Sequence, residues 1–152
     1  NWGSSFGNQV TTVRGLNRIC YRVLTAGQPG SNVTGGISGN STNYRHMLVL
    51  RPNAAISSVV ASTLNTQSTD GNPSSQSVTA SGQATPLVVI GFIGGGTGGN
   101  VTTASPAWDD EDNNGNARMG YKIYNSSPAN HTVDMGDEGG FNSLASGYLR
   151  VT

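Results

Sequence analysis

The residues with the most chemical potential lie in one short polar segment, Trp108 to Asn116. It reads Trp-Asp-Asp-Glu-Asp-Asn-Asn-Gly-Asn. Within it, Asp110-x-Asp112-x-Asn114-Gly115 reproduces the first three oxygen ligands and the sharp-turn glycine of a calcium loop. Calcium takes about six to eight oxygens, and three from one turn would be a good start. The match then fails at the twelfth position, which is Tyr121 instead of a bidentate Glu, and no helical pattern flanks the loop. A carboxylate from elsewhere, Asp134, Asp137 or Glu138, would have to complete the shell. The simpler expectation is a solvated Asp/Asn/Gly hairpin, with no cofactor. Trp108, an aromatic in a polar loop, is the best candidate for a sugar-stacking platform. Otherwise it caps the core.

The other groups offer less. Asp134-Met135-Gly136-Asp137-Glu138-Gly139-Gly140 is a second acidic cluster. Carboxylate pairs hydrolyse glycosides when they face each other across roughly 5 to 9 Å. Asp137 and Glu138 are neighbours and do not form such a pair by themselves, so a tight corner fixed by carboxylate-to-backbone bonds is the preferred reading. His46 and His131 sit alone in predicted strands, with no partner at metal or triad spacing. Gly94-x-Gly96-x-x-Gly99 has the letters of a dinucleotide turn, but that turn needs a helix next, and Val101 to Pro106 is not one. The lone Cys20 excludes an intrachain disulfide and reads as a small buried hydrophobe. The Asn-x-Ser/Thr triplets at Asn32, Asn40, Asn100, Asn125 and Asn130 are about what a chain this rich in Asn, Ser and Thr produces by chance. No enzymatic constellation emerges.

Composition sets the bounds. With 152 residues the chain is long enough for one domain with a real core. Only 11% of residues are charged and the net charge is zero, so the clustered basic surface of a nucleic-acid binder is missing. One lysine and two glutamates leave little material for long helices. No segment has the length or flanks of a signal peptide or a membrane-spanning helix, so no membrane insertion is expected. The chain starts at Asn1 and not at Met, which reads as a processed product or a piece of a longer polypeptide.

These residues have to be positioned by strands. Thr85 to Ile93 is the longest apolar run, rich in β-branched residues and bounded by Pro86 and glycines. It predicts a strand buried on both faces in the middle of a sheet. Alternating or β-rich segments predict further strands at 10–13, 18–25, 44–51, 56–64, 76–80 (at an edge), 118–124, 131–135 and 147–151. Residues 65–75, with Asp70-Gly71 and Asn72-Pro73, read as a polar turn region, and those from the glycine run to Asn116 as loop. The expected architecture is all-β: an antiparallel two-sheet β-sandwich, jelly-roll-like, in a single domain over 1–152.

The C-terminal half carries a resemblance. It runs through Gly120-Tyr121-Lys122-Ile123-Tyr124-Asn125-Ser126-Ser127-Pro128-Ala129, then Thr132 to Gly140, then Asn142-x-Leu144 and Gly147-Tyr148-Leu149. Earlier, Arg18 to Thr25, Asn72 to Val78 and Thr85 to Val89 fit the same pattern. Together these segments resemble a β-sandwich domain recurring in bacteriophage virion surface proteins. The resemblance implies an exposed domain of a tail fibre, spike or capsid-decorating protein and carries over no catalytic residue. The leading expectation is a non-enzymatic structural and interaction protein at the virion surface. Its partners would be other virion proteins, copies of itself in a homotrimer, and a host-surface glycan. The alternative is a carbohydrate-binding module of a secreted bacterial protein, using Trp108 and, in a calcium-dependent form, Asp110, Asp112 and Asn114.

Overall fold

The computed structural model describes residues 5–11, 16–20, 48–51, 53–62, 65–70, 75–95, 101–114, 117–135 and 141–152. The regular elements among them are all strands: β1 (Ser5–Thr11), β2 (Leu16–Cys20), β3 (Val59–Ala61), β4 (Asn65–Asp70), β5 (Gln76–Val78), β6 (Leu87–Gly95), β7 (Val101–Ser105), β8 (Asp110–Asn114), β9 (Ala117–Tyr124), β10 (His131–Met135) and β11 (Phe141–Val151). Every pairing is antiparallel. β1 and β2 form a ribbon, β5-β10-β7 a small sheet, and β3-β11-β6-β9-β8 a large one.

The apolar run builds the centre, as expected. β6 lies between β11 and β9 along most of its length. Its side chains alternate between two hydrophobic clusters. Leu87 and Val89 join Val78, Ala80, Tyr124, Val133 and Leu144, so this cluster is shared by the large and the small sheet. Val88 and Ile90 face the other way, with Ala145, Leu149 and the partly buried Leu48, Leu50, Met119, Tyr121 and Ile123. All four of these β6 side chains are buried, which is why the segment reads as continuously apolar.

β11 is long because two shorter strands pair with it end to end. β4 covers Phe141 to Ser146 and β3 covers Leu149 to Val151. Between them Ser62 bridges the gap. Its N–H donates to Tyr148 O at 2.9 Å and its Oγ accepts the Tyr148 N–H at 2.9 Å. Before β6 the chain turns through Ser81-Gly82, where Gly82 adopts φ +76°, a conformation that suits glycine. The Gln83 N–H donates to Ala80 O across this turn at 3.1 Å. The Thr85–Pro86 peptide is cis.

Several sequence expectations are corrected. Residues 65–70, read as part of a turn region, form β4. Residues 101–105 and 110–114, read as loop, form β7 and β8. All three strands lie at sheet edges. An edge strand can be held by backbone pairing with one neighbour, so it needs no buried face and shows no apolar alternation. Of the described residues in the strand expected over 56–64, Val59–Ala61 are regular, and of the one expected over 44–51, Leu48 to Arg51 are not in a strand while 44–47 lie outside the described residues. Of the strand expected over 18–25, Arg18 to Cys20 lie in β2, which starts at Leu16, and residues 21–25 lie outside the described residues. The strands expected at 76–80, 118–124, 131–135 and 147–151 correspond to β5, β9, β10 and the end of β11, and β5 is at an edge as expected.

Candidate functional site

Among the described residues, the most organised group of polar and aromatic side chains sits where the large sheet meets the small one. It starts from two residues without side chains. Gly91 on β6 and Gly120 on β9 are cross-strand partners and both are buried. Their missing Cβ atoms leave a shallow floor, and the half-buried Trp108 indole lies over it. A Cβ on Gly120 would stand 2.5 Å from Trp108 Nε1 and 2.6 Å from Cε2. One on Gly91 would stand 2.9 Å from Val133 Cγ1 and 3.0 Å from Trp108 Cζ2. These separations are shorter than van der Waals contact, so the indole position requires glycine at both places.

Asp109 aims the indole. Its backbone N–H donates to Tyr121 O at 2.9 Å, and its Oδ2 accepts the Ile123 N–H at 2.8 Å. Its Oδ1 pairs with the Lys122 ammonium. Burial raises the Asp109 pKa, but the hydrogen bonds from Lys122 and Ile123 and the Lys122 charge outweigh it, so the carboxyl sits below its ordinary value. The segment before β8 is thereby clipped to β9, with Trp108 turned inward.

His131 meets Trp108 from β10. The two rings stack with centroids 5.5 Å apart and planes 18° off parallel. Tyr124 approaches the same imidazole edge-on, at 5.5 Å and 77°. Its hydroxyl lies 2.7 Å from His131 Nε2. A hydrogen bond from the Ala129 backbone also reaches Tyr124. With Ala129 N–H donating to the phenol, the Tyr124 O–H is left to donate to Nε2. That assignment places the imidazole proton on Nδ1. Nδ1 is buried and has no hydrogen-bond partner among the described residues. His131 is only 1% exposed. Burial, and then the Lys122 charge, lower its pKa to about 4, with Asp109 opposing weakly. The Tyr124 phenol is raised, first by burial.

Chemically this is a closed cluster. At neutral pH His131 is an uncharged base out of reach of solvent, and the Asp109 carboxylate is bound on both oxygens. A second polar pair joins the sheets nearby. Ser146 Oγ donates to Gln76 Oε1 at 2.7 Å, and Gln76 Nε2 donates to Leu144 O at 3.4 Å, with both residues buried.

The structure distributes the remaining sequence candidates. Asp110, Asp112 and Asn114 occupy alternate positions of β8, opposite Tyr121, Met119 and Ala117. Asp110 and Asp112 are exposed. Alternate strand residues are about 7 Å apart along the chain, whereas calcium ligands lie about 2.4 Å from the ion. The extended strand therefore spaces the backbone of these three positions out along β8 instead of curling it as a calcium loop does. Among the described residues no group of three His, Cys, Asp or Glu side chains closes in a metal-binding arrangement. Asp134 is exposed on β10, while Asp137, Glu138 and His46 lie outside the described residues. The same is true of most of the glycine run. Asn125 and Asn130 are exposed, and Asn130 Oδ1 accepts the Ser81 N–H at 2.9 Å.

Sequence reasoning passed over Asp109 and the Gly91–Gly120 pair. A signal for the glycines existed: an isolated glycine inside an apolar strand marks a close approach of another group. Asp109 had none, being one of four acidic residues in a row. Comparison with protein-family models, with curated proteins and with solved structures found no match for this chain.

Proposed function

We propose that this chain is a non-enzymatic structural and interaction domain on the outside of a bacteriophage particle, within a fibre, spike or capsid decoration. In this reading the two facing sheets are a β-sandwich of jelly-roll-like kind, and the domain works as a homotrimer. Many weak contacts to a host-surface glycan or to neighbouring virion proteins would add up to firm attachment.

One observation carries the reading. The side chains with chemical potential are engaged in packing: Trp108, from the segment before β8, and Tyr124 of the large sheet both meet His131 of the small one, and Asp109, held by Lys122, ties that segment to β9. The resemblance supports it from the sequence side, because its C-terminal segments supply β9, β10 and β11, and with them Tyr124, Val133 and Leu144 of the shared core. The low-charge, hydroxyl-rich composition suits packing in a large assembly.

Light scattering on the purified protein tests the proposal. The expected mass is three times the 15.6 kDa of the chain, or a larger multiple. A monomer that binds soluble glycans, and does so through Trp108, would overturn it in favour of a carbohydrate-binding module.

A further inference from the structure

The cluster around His131 accommodates a neutral imidazole and has no place for a charged one. With the Tyr124 hydroxyl assigned as the donor, Nε2 already accepts a hydrogen bond at 2.7 Å, and Nδ1 has no partner among the described residues. A proton added at Nε2 would set two donors against each other, so the Tyr124 O–H would have to turn away. The new cation would be buried, with the Lys122 ammonium among its neighbours. The groups around the ring come from several elements. From β9 they are Tyr124 and Lys122, and from the segment before β8 they are Asp109 and Trp108. From β5 the cross-strand partner is Val78, with the buried Gln76 two residues along. The apolar cluster that Tyr124 and Trp108 belong to adds Leu87 and Val89 from β6 and Leu144 from β11. Arg150 of β11 is the cross-strand partner of Leu87. Asp109 is the only carboxylate in this set, and Lys122 already holds it.

We propose that His131 is an acid-sensitive latch between the two sheets: when its imidazole takes a proton, β10 and the small sheet release Trp108 and part from β9. The inference does not depend on the virion reading. Its direction follows from linkage. An open form lets His131 titrate near its ordinary 6.5, while the closed form resists to about 4. The closed form is therefore unpenalised above pH 6.5, and the open form gains on it as pH falls from there towards 4. Asp109 acts lower, below the ordinary carboxylate value of 3.8, so the two contributions separate along the pH axis.

The test reads Trp108 fluorescence and near-ultraviolet circular dichroism against pH, in a W2F background that removes the other tryptophan. The expected result is a loss of the Trp108 signal between pH 6.5 and 4 that moves to lower pH in H131Q. A Gln side chain can still accept the Tyr124 hydroxyl but does not titrate in this range. The H131F/Y124F double variant, which replaces both polar partners by apolar rings, should shift the loss in the same direction. An unchanged midpoint in both variants would overturn the proposal. Should neither variant fold, nuclear magnetic resonance of the imidazole nitrogens in the wild-type protein decides. A folded state in which His131 titrates near 6.5, or carries its proton on Nε2 at neutral pH, would overturn it. A neutral Nδ1–H form that persists until the Trp108 signal is lost would support it.

Discussion

At the scale of single residues, the seam between the sheets depends on what is absent at Gly91 and Gly120 as much as on what is present at Trp108. Adding one methyl group at Gly120 forces the indole off its floor, and overpacking of this kind costs about 1–3 kcal/mol. Gly120→Ala should lower the urea midpoint accordingly. Trp108→Ala should cost about 3 kcal/mol, near the low end for a large aromatic because the ring is only half-buried. The two changes share one contact, so the double variant should lose clearly less than the sum of the singles. Additive losses would mean that the indole does not rest on Gly120. His131 adds a pH dependence with a definite sign. Its folded pKa of about 4 lies below the ordinary 6.5, so the unfolded chain binds the proton first as pH falls. Stability is retained above 6.5 and is lost by roughly 3 kcal/mol on going down to 4. Urea unfolding of the wild type and H131Q at pH 7 and pH 4.5 should differ in slope with pH, the variant being flatter. The Asp109–Lys122 pair is worth less. About a third of the Asp109 side chain is exposed, so solvent and salt screen the pair, and Asp109→Asn should cost about 1 kcal/mol at most.

At the scale of elements, legibility in the sequence followed burial. β6, β9, β10 and the end of β11 lie where side chains are buried on one or both faces, and their residues alternate or run apolar. β4, β7 and β8 consist of Thr, Ser, Asn, Gln, Asp and Glu with little else. Their order comes from backbone bonds to β11, β10 and β9, a cause that leaves no mark on residue types. The candidate site was half legible for the same reason. Trp108 stands out by type, whereas Asp109 is distinguished from Asp110 only by the Ile123 N–H and Lys122 ammonium that it meets in space. The small sheet and the large one are also joined through Gln76 and Ser146, which gives a further prediction. Ser146→Ala leaves the buried Gln76 Oε1 without its donor at a cost of about 1–3 kcal/mol. Replacing both residues, Gln76→Leu with Ser146→Ala, should recover part of that loss. If the double variant is no better than the single in thermal unfolding, the pair is not an isolated hydrogen bond.

At the scale of the whole molecule, the two edges of the large sheet differ in a way that bears on assembly. One edge is β8, with Asp110, Glu111 and Asp112 exposed in succession. Consecutive carboxylates repel a like strand, so this edge is guarded against pairing with its own copy. The extended spacing of Asp110 and Asp112 fits this role, and calcium should then leave the melting temperature unchanged. A rise that chelation reverses would instead put an ion on this strand. The other edge, β3 and β4, bears no charge from Val59 to Thr69, and Val60 is 41% exposed. If copies associate as proposed, contact through surfaces of this uncharged kind should outweigh contact at the acidic edge. Association of folded chains also couples stability to concentration, because the assembled form binds folded copies and not unfolded ones. The melting temperature should therefore fall on serial dilution, and Val60→Lys should remove that dependence while leaving the dilute-limit melting temperature nearly as it was. Melting that is independent of concentration in the wild type would mean that the chain stands alone, and the trimeric reading would fall with it.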